Sequence, residues 1–291
     1  MDAKELLKKV RKIEIKTKGL SQNIFAGEYH SAFKGRGVIF SEVRQYQPGD
    51  DVRDIDWNVT ARHNAPYVKV YEEERELTLM LLIDVSGSGD FGAVGEQKKE
   101  MMAEIAATLA FSSMQNNDKV GVILFSDKIE KYIPPQKGKK HILLIIREII
   151  DFKPSSRGTD INCALQFMLN AVKKRATTFL LSDFIDSHDF SHSLMLAARK
   201  HELTALQVFD ERDAKLPDVG LIHAEDLETG ETLWIDSSSK RVRKAYEKAW
   251  YDRLQQWNAT AVRCGVEVGT VRTDEDFVKV LLGVFRRKAV R

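Results

Sequence analysis

The chain is 291 residues long, enough for one or two domains of about 150 residues and a substantial core. Its 43% hydrophobic and 30% charged residues exclude a disordered chain, and 45 Lys+Arg against 43 Asp+Glu leave a net charge of +2, too neutral for a charge-based case for nucleic acid. The two cysteines, Cys163 and Cys264, form no CxxC pair, so neither a disulfide scaffold nor a thiolate zinc site is indicated.

Residues 3–15 set Leu6, Leu7, Val10 and Ile13 at helical spacing among lysines, which predicts a short amphipathic helix docked on its own domain. The N-terminus has no apolar segment of the kind a secretion signal needs, and no uncharged apolar run approaches the roughly 18 residues of a spanning helix. A cytoplasmic protein without a transmembrane segment is expected. From Gly35 to Tyr71 short extended pieces (VIFSEVRQY, YVKVYEE) are broken by Pro48-Gly49 and Asn64-Ala65-Pro66. Residues 1–76 are therefore read as the helix plus a small β-rich domain, and 77–291 as a second domain.

In that second domain strands and helices alternate, the pattern of a parallel sheet covered on both faces. Strands are predicted at 77–83 (LTLMLLI), 119–125 (KVGVILF), 128–133, 177–181 (TTFLL), 203–209 (LTALQVF) and 265–271. Helices are predicted at 96–115, with Met101, Ile105, Leu109 and Ala110 as its apolar face, and at 139–151, 160–174, 189–200 and 275–287. A hairpin at 220–225 and 231–236, turned at Glu228-Thr229-Gly230, and a long helix at 238–258 are inserted near 215–260. The expected fold class is α/β, a doubly wound and mainly parallel sheet with a small N-terminal β-rich domain.

Ligands of such sheets bind beyond the carboxyl ends of the strands. Asp84-Val85-Ser86-Gly87-Ser88 stands there after the first strand, Thr159 precedes a helix, and Asp183 ends TTFLLSD. Asp84, Ser86, Ser88, Thr159 and Asp183 make a set of hard oxygen donors without His or Cys, which favours Mg²⁺, with Mn²⁺ and Ca²⁺ as alternatives. With two carboxylates and three neutral hydroxyls, a bound ion keeps positive charge and seeks an anion from outside. The reading requires three distant stretches to converge with no lysine ammonium between them.

The Asp-x-Ser-x-Ser loop, the later Gly158-Thr159 and Asp183 resemble the metal-ion-dependent adhesion site of von Willebrand factor A domains. The resemblance implies Ser86, Ser88 and Thr159 as direct ligands, Asp84 and Asp183 as direct or water-mediated ones, and a partner's acidic residue completing the shell. Gly35-Arg36-Gly37, Phe40, Glu42-Val43-Arg44, Tyr46, Pro48-Gly49-Asp50-Asp51, Arg53, Ile55-Asp56-Trp57 and Ala61-Arg62 resemble the signature of the bacterial family called domain of unknown function 58. Many members of that family are membrane-anchored and encoded beside MoxR-type AAA+ ATPases, which makes such an ATPase, or its client, the implied partner.

Competing chemistries find less support. There is no Gly-x-Ser-x-Gly elbow, no HExxH, no phosphate-binding GxxxxGK loop, and Ser86 stands where a phosphoaspartyl enzyme built on Asp84 would carry a second acid. His188 and His192 are read as part of a solvated helix start with Ser187 or Asp189 as cap, and Lys137-Gly138-Lys139-Lys140 as another. Around Tyr46, Trp57 and Tyr67, Arg44, Arg53 and Arg62 are expected to pair with Asp50, Asp51 or Asp56, or to form a docking surface. The expected function is a non-enzymatic, cation-dependent protein-interaction module. The alternative is a metal-dependent hydrolase of phosphoester or peptide substrates, with Asp160 or Asp186 as its nucleophile or base.

Overall fold

The computed structural model describes residues 38–63, 65–73, 77–90, 96–225 and 230–289. The helix expected at 3–15 and the hairpin positions Glu228 and Thr229 lie outside them. The described residues up to Leu77 and those from Thr78 onward form two separate compact units.

In the smaller unit β1 (Val38–Gln45) pairs antiparallel with β2 (Tyr67–Glu73). Between them run a 3-10 turn (Val52–Asp54) and a helix, α1 (Trp57–His63), where the sequence suggested only extended structure. The local cause of α1 is Asp56, whose Oδ1 accepts from the N–H groups of Asn58 (3.0 Å) and Val59 (3.2 Å) and caps the first turn. Arg44 forms a two-pronged pair with Asp50 at 2.8 and 2.7 Å, while Asp56 faces Lys69 at 3.6 Å. Trp57 stays 70% exposed.

The larger unit is an α/β layer structure around a six-stranded sheet. Its strands are β3 (Thr78–Asp84), β4 (Lys119–Phe125), β5 (Ile129–Gln136), β6 (Thr177–Ser182), β7 (Glu202–Phe209) and β10 (Glu267–Arg272), in the order β10-β7-β6-β3-β4-β5. All neighbours are parallel except β5, which runs antiparallel to β4 at the edge. The helices are α2 (Glu96–Gln115), α3 (Lys139–Asp151), α4 (Ile161–Ala171), α5 (Ser191–Lys200), α6 (Glu211–Ala214), α7 (Lys240–Cys264) and α8 (Phe277–Ala289). The inserted hairpin is β8 (Leu221–Glu225) with β9 (Thr232–Asp236).

Each central strand is buried on both sides, so its alternate residues feed two cores. Met80 and Leu82 of β3 join Leu165 and Met168 of α4, Leu194 of α5 and Trp257 of α7 in one. On the other side Ile83 lines a small cavity with Met102 of α2 and Ile149 of α3, and Phe179 of β6 meets Phe285 of α8 edge-on. Met102, not Met101, is the buried methionine of α2, because the apolar stripe runs Met102, Ile105, Leu109. The long helix continues to Cys264, beyond the expected 258, and ends where Gly265 turns left-handed (φ 72°). No helix of the described residues is long and apolar enough to cross a membrane.

Gly121 explains why a glycine interrupts KVGVILF. A Cβ there would come within 2.8 Å of Met80 Sδ and 3.0 Å of both the Ile133 carbonyl oxygen and Pro135 Cγ. Backbone and a proline ring cannot yield as a flexible side chain would, so Gly121→Ala should destabilise by about 1–3 kcal/mol. Urea unfolding with an unchanged slope and a lower midpoint is the expected result.

Candidate metal centre

After β3 the chain goes on to β4 and β5 on one side; β6 lies on the other side of β3, followed by β7 and β10. The carboxyl ends of β3 and β6 therefore flank the switch point of a doubly wound sheet, where a crevice opens. Asp84 ends β3 and Asp183 follows β6; both are buried, with 5% and 2% of their surface exposed.

Asp84 turns the chain off its strand. Its Oδ1 accepts from the Ser86 N–H (2.9 Å), a tight side-chain-to-backbone turn, and its Oδ2 accepts from the Ser182 hydroxyl (2.6 Å). Ser86 Oγ then lies 3.0 Å from Ser88 Oγ. Burial, and after it the neighbouring Asp183 charge, push the Asp84 carboxyl up to about 7, against the opposing pull of the Ser182 and Ser86 bonds.

The remaining candidate arrives on another loop. Gly87 N–H donates to the Arg157 carbonyl at 2.9 Å, which draws the stretch carrying buried Thr159 against the serine loop. Asp160 N–H donates to the Ser126 carbonyl at 2.9 Å and its side chain caps α4 by accepting from Cys163 N–H at 2.9 Å. Asp84, Ser86 and Ser88 are thus joined by hydrogen bonds, Asp183 lies within electrostatic reach of Asp84, and Thr159 sits on the loop tied to Gly87.

The expectation of an acidic gap free of lysine needs correction. Lys98 of α2 is buried to 1% exposure and its ammonium lies 3.5 Å from Asp183 Oδ2 and 2.5 Å from Asp213 Oδ2. Burial alone would lower its pKa; the Asp183 and Asp213 charges outweigh that and leave it raised. One of the two expected carboxylate ligands therefore already has a cation beside it. The signal was present in the sequence, since Lys98, Met102, Ile105 and Leu109 share one helical stripe, and a lysine on an apolar stripe demands a buried acid. Ser182, the hydroxyl donor to Asp84, also went unread, because in TTFLLSD it looks like a strand terminus.

A second acidic group, Asp160, Asp186 and His188, brings ligand-type atoms within 4.8 Å of one another. Both Asp186 oxygens and Asp160 Oδ1 already accept local bonds. Asp186 Oδ2 accepts from Ile161 N–H (2.8 Å), and Oδ1 accepts from the N–H of His188 (2.8 Å) and faces His188 Nδ1 (2.8 Å). The hydrogen bond to Asp186 raises the exposed His188 above the usual imidazole range. Asp189 accepts from Ser191 N–H at 2.9 Å, so the start of α5 is held by an acid and His188 lies before the helix.

Residues 42–256 match the family model described as Protein of unknown function DUF58. The chain belongs to the DUF58 family. It is 29% identical over 280 residues to the uncharacterized protein Rv1480 of Mycobacterium tuberculosis, covering 96% of this chain and 88% of that one. Among solved structures it resembles the conserved hypothetical protein BatB of Bacteroides thetaiotaomicron at 15% identity and a TM-score of 0.45, over 74% of this chain and 100% of that one. It also resembles proximal thread matrix protein 1 of the mussel byssus, solved with a zinc-occupied MIDAS motif, at 20% identity and a TM-score of 0.38, over 46% of this chain and 38% of that one.

The Asp84 shift has a definite sign. Its folded pKa is raised above the ordinary 3.8, so stability is fully present below that pH and lost as pH rises through about 7. In EDTA, Asp84→Asn should melt above the wild type at pH 8, with the difference shrinking to nothing toward pH 4. Thermal melts across that range check it, and a pH-independent offset would contradict the assignment.

Proposed function

We propose that this DUF58 protein is a non-enzymatic protein-interaction module that holds a divalent cation at Asp84, Ser86, Ser88, Thr159 and Asp183 and presents it to an acidic residue of a protein partner. The observation that carries the reading is the 3.0 Å separation of the Ser86 and Ser88 hydroxyl oxygens beside a desolvated carboxylate. Adjacent ligands of an octahedral ion with bonds of about 2.1 Å stand about 3.0 Å apart, whereas Ca²⁺ at about 2.4 Å would spread them to about 3.4 Å. A hydroxyl pair held at this spacing by its own hydrogen bond matches an Mg²⁺ or Mn²⁺ ligand edge, and Ca²⁺ stays an alternative that opens the pair slightly.

Charge supports the second half of the reading. Asp183 shares the Lys98 ammonium, so Asp84 is the carboxylate left to answer an ion of charge two. An ion so held retains attraction for an outside carboxylate, and its resident chemistry is electrostatic docking. The family resemblance makes a MoxR-type AAA+ ATPase, or its client, the partner to test first.

A metal-dependent hydrolase is the second reading, favoured by one observation. His188, hydrogen-bonded to Asp186 and open to solvent, has the form of a general base. Turnover of generic phosphoester or peptide substrates with Mg²⁺ or Mn²⁺, abolished by Asp84→Asn, would favour it over docking.

In the docking reading, Mg²⁺ should raise the melting temperature of the wild type, with a stabilisation of about 2.7 kcal/mol at a hundredfold excess over Kd. The effect should be larger at pH 8 than at pH 6, because the ion binds ionised Asp84. Asp84→Ala should remove both the Mg²⁺ response and partner capture while keeping the circular dichroism spectrum. Equal capture of the same partner by that variant, unaffected by EDTA, would defeat the reading.

A further inference from the structure

Among the described residues, Lys98 stands between two buried acids. Its ammonium leans toward Asp213, at 2.5 Å, and stands 3.5 Å from Asp183. Asp213 is fixed by its own turn. In the capping box of α6, Asp213 Oδ2 accepts the Asp210 N–H at 2.8 Å, while the Asp210 side chain caps the helix. Asp183 is held from the other side, its Oδ1 accepting from Ile185 N–H at 3.1 Å. All three charged side chains are nearly excluded from water, where an uncompensated acid is strongly disfavoured and where a unit charge acts on its neighbours more strongly than in solvent.

We propose that Lys98 is a tethered counter-cation that competes with the divalent ion for Asp183 and so sets the cation affinity of the site, with Asp213 determining how much of the ammonium Asp183 receives. The inference rests on the cation-docking reading of the same site. Without a divalent ion, Lys98 compensates Asp183 and keeps the crevice formed. When an ion binds, the ammonium repels it across Asp183, and Asp213 offers the ammonium an alternative partner. Lys98 is thus a positioning residue that acts through Asp183.

The assignment predicts opposite effects from two variants. Asp213→Asn removes the charge of the competing acid, shifts the ammonium toward Asp183 and should weaken Mg²⁺ binding roughly tenfold or more. Lys98→Met combined with Asp213→Asn deletes one charge of each sign, leaves the net charge unchanged and should tighten Mg²⁺ binding by a similar factor. A merely structural role would lower the melting temperature in both and could not produce a gain.

Isothermal titration of the full chain with Mg²⁺, with circular dichroism of each variant, reads the result. If the wild type binds and the double variant binds no more tightly, the inference is overturned and the docking reading stands. If only the double variant binds, the ammonium excludes the ion, so the inference stands and the loaded native site does not. If neither binds, both fail. Should the double variant not fold, Asp213→Asn alone decides, and unchanged affinity there overturns the inference.

Discussion

Two carboxylates buried next to each other at the ends of neighbouring parallel strands are the constraint around which the larger unit is organised. Like charges in a desolvated crevice raise each other's cost, and the fold offsets the two by different means. Asp84 receives neutral donors, the Ser182 hydroxyl and the Ser86 N–H, and is left with a carboxyl that gains a proton near neutrality. Asp183 receives a backbone N–H and a share of the Lys98 ammonium of α2, which stands closer to Asp213. In the proposed cation site, that asymmetry would make Asp84 the charge most responsive to an incoming cation and Asp183 a shared ligand.

The loops around the crevice are held by the same device repeated. Asp84, Asp160, Asp183, Asp186 and Asp189 each accept a backbone N–H two or three residues onward. A short turn closed in this way needs no bound ion to keep its shape, so hydroxyls such as those of Ser86 and Ser88 stand prearranged, and less ordering cost remains when a ligand arrives. Glu130 ties a further loop in place by accepting from Ser126, Ser155 and Ser156. Beneath the loops, β3 is packed on both faces.

In the smaller unit, much of the charged signature resolves into local geometry. Arg44 and Asp50 clasp each other, Asp51 caps the 3-10 turn, Asp56 caps α1, and Thr60 accepts from Tyr67 N–H. Arg–carboxylate pairing was legible from composition, although only the Arg44–Asp50 combination among those considered is formed by direct hydrogen bonds in the described residues. Trp57, highly exposed at the start of α1, is a signature residue that this scaffolding does not account for.

Alternation of apolar runs was enough to read the α/β architecture, because a strand buried on both faces must be continuously apolar and a covering helix must repeat every three to four residues. Residues such as Asp84, Ser86 and Ser88 were legible as a group since chain connectivity holds them within one loop. α1 was not legible, because its seven residues carry only a local Asp56 cap and what holds the short turn in place, the Tyr67 N–H bond to Thr60, comes from the following strand. Nor could spacing along the chain disclose that Lys98 reaches Asp183 and Asp213, for those three side chains come from separate elements and meet only when helices pack on the sheet. Sequence by itself determined which atoms stand at the strand ends; the tertiary structure decided which of their charges are already answered, because in a desolvated crevice that depends on distance and not on order along the chain.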